Sequence, residues 1–132
     1  MNRARTLELE RANDAWEKVK TIAAQNAKGK YGSYVKGLPA AILANGLGQA
    51  AATLLAAAKG QGNNDHQALY NHLQAWLCRD DPSAPYRGKA DLMQAITKGD
   101  RAVYLRAQAE SLAWLGWLKK FAAAYLPEGK ED

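Results

Sequence analysis

One cysteine, one phenylalanine and two histidines occur among the 132 residues, and each scarcity closes off a class of function. Cys78 alone can form neither an intrachain disulfide nor a thiolate-based zinc site, and it fits a reducing compartment as a small hydrophobe near a helix end. Valine, isoleucine and threonine are sparse, which argues against strands. No window approaches the roughly 18 to 20 uninterrupted apolar residues of a membrane span, and the opening "MNRARTLELERAND" is charged throughout with no apolar h-region. A cytoplasmic protein with no membrane partner is expected. There is no G-x-S-x-G, no P-loop and no H-E-x-x-H. No catalytic residue, cofactor site or metal site is therefore assigned.

What the chain has is alanine, about a fifth of all residues. That favours close-packed helices over a bulky core, so the expected fold class is all-α, a single compact bundle of about six helices. A single domain over 1–126 and a short polar tail at 127–132 are expected. The net charge is +5, and because the tail "PEGKED" carries three acids against one lysine, the body stands at +7, from 17 basic and 10 acidic side chains. Such a body suits a polyanionic partner, although it is also ordinary for a bundle surface.

Apolar spacing places the elements. Ala12, Ala15, Trp16, Val19, Ile22, Ala23 and Asn26 form one stripe on a first helix from Arg3 to Ala27. "KGKYGSYVK" reads as a loop or frayed start, re-entering a helix near Tyr34. Leu38-Pro39 marks a helix start, since proline suits a first turn, and Asn45-Gly46 a stop. A third helix runs from Leu47 to Lys59. Asn64 caps a fourth, with Gln67 as the reciprocal partner of a capping box; Leu69, Leu73, Trp76 and Leu77 form its buried side. After the loop "RDDPSAPYRG" a short helix carries Leu92, Met93 and Ile96. Asp100 caps the last helix, which ends near Tyr125. Its main stripe is Val103, Ala107, Ser111, Trp114, Leu118, Phe121, Ala122 and Tyr125. A second stripe of Leu105, Ala109, Leu112 and Gly116 lies roughly opposite, so this helix is either central or offers a face to another chain.

"LANGLGQAAA" spells G-x-G-x-x-A, the spacing of dinucleotide-binding turns, but those glycines must join a strand to a helix and no βαβ pattern exists here. A corner between two helices is expected, with Gly46 as cap and Gly48 permitting close approach. His66 and His72 point roughly 120° apart on one helix and cannot share a metal; His72 reads as a partly buried, satisfied histidine. Glu110 sits at the edge of the main stripe and needs a partner, so it reads as a structural ion pair. What remains is basic surface. Lys18, Lys20, Lys28, Lys30 and Lys36 gather around Tyr31 and Tyr34; Arg101, Arg106, Lys119 and Lys120 ride on the last helix with Trp117. Lysines there can neutralise phosphates and tyrosines can stack, or both groups are simply solvated helix faces.

The blocks "LPAAILANGLGQAAATLLAAAK" and "YLRAQAESLAWLGWLKKFAAAYL" resemble the small-subunit family of type III-B CRISPR effector complexes, the Cmr small subunit. The resemblance rests on Leu38-Pro39, on Asn45 to Gln49, and on Trp114 with Trp117 to Ala122. It implies a non-catalytic all-α subunit of an RNA-guided ribonucleoprotein. Such a subunit would stack with copies of itself into a filament beside the other Cmr-type effector subunits. It would also line the path of the target RNA and the guide-RNA duplex backbone. Leu105, Ala109, Leu112 and Gly116 would serve the subunit interface, and the two basic groups would serve nucleic-acid binding. A purely architectural helical adaptor without nucleic-acid contact is the alternative.

Overall fold

A computed structural model describes residues 5–26, 28–59, 61 and 64–127. Among them lie α1 (Leu7–Asn26), α2 (Tyr31–Asn45), α3 (Leu47–Ala58), α4 (Asp65–Leu77), α5 (Leu92–Lys98) and α6 (Arg101–Tyr125), with no strand. The fold is all-α. Arg3, Ala27 and residues 128–132, most of the expected tail, lie outside the described residues.

The caps show why the helices begin where they do. Leu9 N donates to Thr6 Oγ1 at 3.2 Å, and Glu8 and Glu10 place negative charge in the first turn of α1. Asp100 caps α6 by accepting from Val103 N at 2.9 Å, as expected. Asn64 caps α4 through His66 N at 2.7 Å. Its capping box does not close, because Gln67 Nε2 donates forward to Asn71 Oδ1 at 2.9 Å.

The sequence places the start of α2 wrongly. Pro39 lies inside α2, which already begins at Tyr31. A proline there removes one backbone donor, which disfavours a helix interior. Tertiary burial overrides it, since Tyr31, Val35, Leu38 and Ile42 form one buried face spanning the proline.

Contacts fix the directions of the helices. Arg11 meets Glu110, Asp14 meets Trp114 and Trp16 meets Phe121, so α1 and α6 run side by side in the same direction. Leu47 meets Gln108, while a Cβ on Gly32 would come within 3.7 Å of Leu126, so α2 runs against α6. The core between them and α4 is built from Val19, Ile42, Leu73, Trp114, Leu115 and Leu118, all at most 2% exposed together with Trp76.

The α2–α3 corner is the expected helix-to-helix turn. Gly46 has φ of 88° and serves as the cap residue of both helices. The first turn of α3 is completed by α6: Leu47 N donates to Gln108 Oε1 at 3.0 Å and Gly48 N to the Tyr104 hydroxyl at 2.9 Å. Gly48 lies against Ile96 and Tyr104, where a Cβ would sit 3.5 Å from each. Gly46 therefore shapes the corner, whereas the close approach expected of Gly48 does not require a glycine, since a Cβ there would make ordinary contacts.

Candidate nucleic-acid interface

The two basic groups seen in the sequence are rearranged by the fold. In the first, Lys28 and Lys30 are exposed in the corner between α1 and α2. Asp65 fixes that corner by accepting from Lys30 N at 2.7 Å and from Asn26 Nδ2 at 2.8 Å. Lys36 is exposed on α2, and Lys20 is exposed beside Glu17 at 3.8 Å. Lys18 is different. Its side chain is only 20% exposed and donates to Asp14 at 2.8 Å.

In the second group, Arg101, Arg106, Lys119 and Lys120 are all exposed. They do not form one patch, because the 18 residues from Arg101 to Lys119 span roughly 27 Å of helix axis. Since α1 and α6 finish together and α2 starts beside them, Lys119 and Lys120 share an end of the bundle with Lys20, Lys28 and Lys30. Arg101 and Arg106 stand at the opposite end of α6.

The tyrosines beside the first group are not free platforms. Tyr31 is 1% exposed and its hydroxyl shares a 2.7 Å hydrogen bond with His72 Nδ1. Tyr34 is half-buried, with one face stacked on His66 at 3.7 Å between centroids. The aromatic surface lies elsewhere. Trp117, Phe121 and Tyr125 recur every fourth residue on α6, and Trp16 of α1 packs edge-on against Phe121 at 5.7 Å and Tyr125 at 4.8 Å. Trp16 thus sits on the flank of α1, whose buried residues are Ala15, Val19 and Ile22. The regular spacing of 117, 121 and 125 was legible in the sequence; the partner on α1 was not.

The second stripe of α6 is exposed at Leu105 and Ala109 and packs against the core at Leu112. Leu105 is 45% exposed, Ala109 is exposed, Leu112 and Gly116 are half-buried, and a Cβ on Gly116 would meet nothing within 4 Å. α6 packs against α1, α2, α3 and α4 and is central in the bundle, while Leu105 and Ala109 on its second stripe stay exposed.

The buried polar groups are occupied by structural bonds. Glu110, 7% exposed, accepts from Arg11 Nε at 2.7 Å, Arg11 Nη2 at 2.8 Å and Trp76 Nε1 at 3.0 Å. This is the expected ion pair, in the two-pronged geometry that arginine favours. The hydrogen bond to Glu110 holds the Arg11 guanidinium even more firmly protonated than usual. Asp14 accepts from Trp114 Nε1 at 2.8 Å as well as from Lys18. Burial pushes the Cys78 thiol up to about 11, which keeps it un-ionised near neutral pH. No group of three or more metal-ligating side chains occurs among the described residues. No helix among them is long and apolar enough to cross a membrane.

His72 is satisfied as expected, and the cost of charging it yields a pH prediction. Burial, and then the nearby Lys18 charge, bring its pKa down from 6.5 to about 4, with Asp14 opposing. A neutral His72 therefore contributes stability above pH 6.5 that is lost as pH falls from 6.5 to 4, since the unfolded chain binds the proton first. The loss amounts to about 3 kcal/mol at the acid end. Thermal melts across that range should show a steeper acid decline for the wild type than for His72→Gln. Parallel declines would contradict the assignment.

Known proteins share this architecture. The family profile described as "CRISPR-associated protein (Cas_Cmr5)" matches residues 7–125. A relative from Thermus thermophilus, described as "CRISPR system Cmr subunit Cmr5", is 33% identical over 117 residues, covering 89% of this chain and 93% of its own length. The crystal structure of a CRISPR-associated Cmr5 family protein from Thermus thermophilus is similar with a TM-score of 0.72 at 30% identity, over 93% of this chain and 99% of that one.

Proposed function

The chain belongs to the Cmr5 family of CRISPR-associated proteins, and from that premise we propose that it is the non-catalytic small subunit of a cytoplasmic type III-B effector. Membership makes it a Cmr complex subunit in CRISPR defence, with other Cmr components as partners. In the proposed role it stacks with copies of itself and lines the target-RNA path, touching the backbone of the RNA and of the guide duplex without reading sequence. Guide pairing supplies sequence, so the subunit needs only cations placed along phosphates.

The observation that supports this reading is that Lys20, Lys28, Lys30, Lys119 and Lys120, all exposed, lie towards one end of the bundle. Self-stacking draws on a different face. The stripe of Leu105, Ala109, Leu112 and Gly116 offers small and apolar side chains to a second, different patch on a neighbouring copy, the head-to-tail arrangement that propagates into a filament.

Charge reversal tests the RNA contact. With Lys28, Lys30 and Lys119 changed to Glu, the assembled complex should bind target RNA more weakly, and the slope of log affinity against log salt should shrink by roughly two to three. An unchanged slope in an intact complex would instead establish the architectural adaptor, whose basic faces meet only protein.

A further inference from the structure

The aromatic ribbon along the seam of α1 and α6 goes unused by phosphate contacts. Phe121 lies 5.7 Å from both Trp16 and Trp117, edge-on to the first and at 29° to the second, and Tyr125 closes against Trp16 at 4.8 Å. Four rings thus form one continuous run. Trp16, Trp117 and Phe121 are half-buried and Tyr125 is 55% exposed. Trp16 stands apart from the hydrophobic core cluster, to which Trp117 and Phe121 are joined. It is held by other rings at the surface.

Among the described residues, two lysines stand on the banks of the ribbon. Lys20 lies one helical turn beyond Trp16, and Lys120 lies one turn beyond Trp117 and next to Phe121; both lysines are exposed. Glu17 lies 3.8 Å from Lys20. Asp14 is turned inward, where Trp114 and Lys18 bind it. Flat apolar rings between two cations match a ligand with flat rings and a negative backbone. A protein partner would need acidic and apolar groups together; a nucleotide chain has both in every unit.

We propose that this ribbon stacks the unpaired bases of single-stranded RNA, with Lys20 and Lys120 on the flanking phosphates. The inference rests on the reading that the chain meets RNA, and it adds a preference for unpaired over duplex RNA. Duplex bases are already stacked and keep their faces from the rings, so a duplex can use only the lysines.

The test uses the full chain at low ionic strength with two probes, a short oligouridylate and an RNA duplex of equal length. Trp16→Leu and Tyr125→Ala are the variants, each checked for an unchanged helical spectrum. Tyr125 lies in the last turn of α6 and is exposed, so its removal leaves the core intact. Each substitution should weaken oligouridylate binding roughly five- to hundredfold, the range of one base–aromatic stack, and leave duplex binding unchanged. Oligouridylate should also quench tryptophan fluorescence in the wild type and less in Trp16→Leu.

Wild-type affinity in both variants would overturn the inference, as would an equal loss for both probes. So would a wild-type chain that ignores oligouridylate, or variants that lose self-association while keeping RNA binding. The underlying reading fails separately. If ring variants bind normally while the triple charge reversal weakens RNA binding, the ribbon falls and the phosphate contacts stand.

Discussion

Arg11→Ala should lower stability by about 3 kcal/mol in urea denaturation, close to the cost of stripping one partner from a buried ion pair. The reason lies in the asymmetry of the pair. The Arg11 side chain is 19% exposed and could find water, whereas Glu110 is 7% exposed and is left with Trp76 as its donor. An unpaired buried carboxylate carries a desolvation penalty that one indole N–H does not offset. Glu110→Gln should cost less than Arg11→Ala, because the amide oxygen still accepts from Trp76 and Arg11 Nε, while the charge and the bond from Arg11 Nη2 are lost. Replacing both residues by leucine should recover only part of the loss, since paired removal leaves no orphaned charge but strips the buried Trp76 Nε1 of its acceptor. A drop below about 1 kcal/mol for Arg11→Ala would show that Glu110 is not bound as described.

Gly46→Val should destabilise the fold by a comparable amount, about 2 to 4 kcal/mol. Two terms add. The backbone stands at φ 88° and ψ 159°, a conformation essentially reserved for glycine, and the new Cβ would lie 2.9 Å from the Tyr104 hydroxyl. Moving Tyr104 breaks its bond to Gly48 N and leaves the first turn of α3 short of an acceptor. Gly48→Ala is the control. Its Cβ would make ordinary contacts at 3.5 Å inside a helix, so its effect should stay within about 1 kcal/mol of zero. Thermal melts that rank the two substitutions the other way round would contradict the description of this corner.

How much of this was readable beforehand depended on how far apart in the chain the deciding groups lie. Local signals worked. Asp100 and Asn64 as caps, Gly46 as a stop with positive φ, the buried face of α4 and, apart from the exposed Tyr125, the main stripe of α6 all follow from residues within one or two turns of each other. The start of α2 was lost because Pro39 is a strong local breaker, and only the tertiary burial of Tyr31 and Val35 explains its place in a helix interior. Glu110 could be read as needing a partner, but Arg11 lies 99 residues away and nothing in the chain names it.

The same limit governs the candidate interface. Lysines near Tyr31 and Tyr34 suggested stacking platforms, yet one ring is buried on His72 and the other has one face stacked on His66. The last helix showed four cations in sequence, and the distance along its axis divides them between two ends of the bundle. Only the parallel course of α1 and α6 brings Lys20 and Lys120 to one seam. Neighbourhoods of this kind arise from packing, to which periodicity is blind.

The central claim is that this chain works inside an RNA-guided Cmr assembly. Recovery of a tagged copy from its native host tests it most directly, with RNA and proteins in the eluate both identified. The expected result is co-purification of a guide RNA together with other Cmr-type subunits. A tagged protein that is recovered intact, with neither guide RNA nor Cmr-type partners, would contradict it.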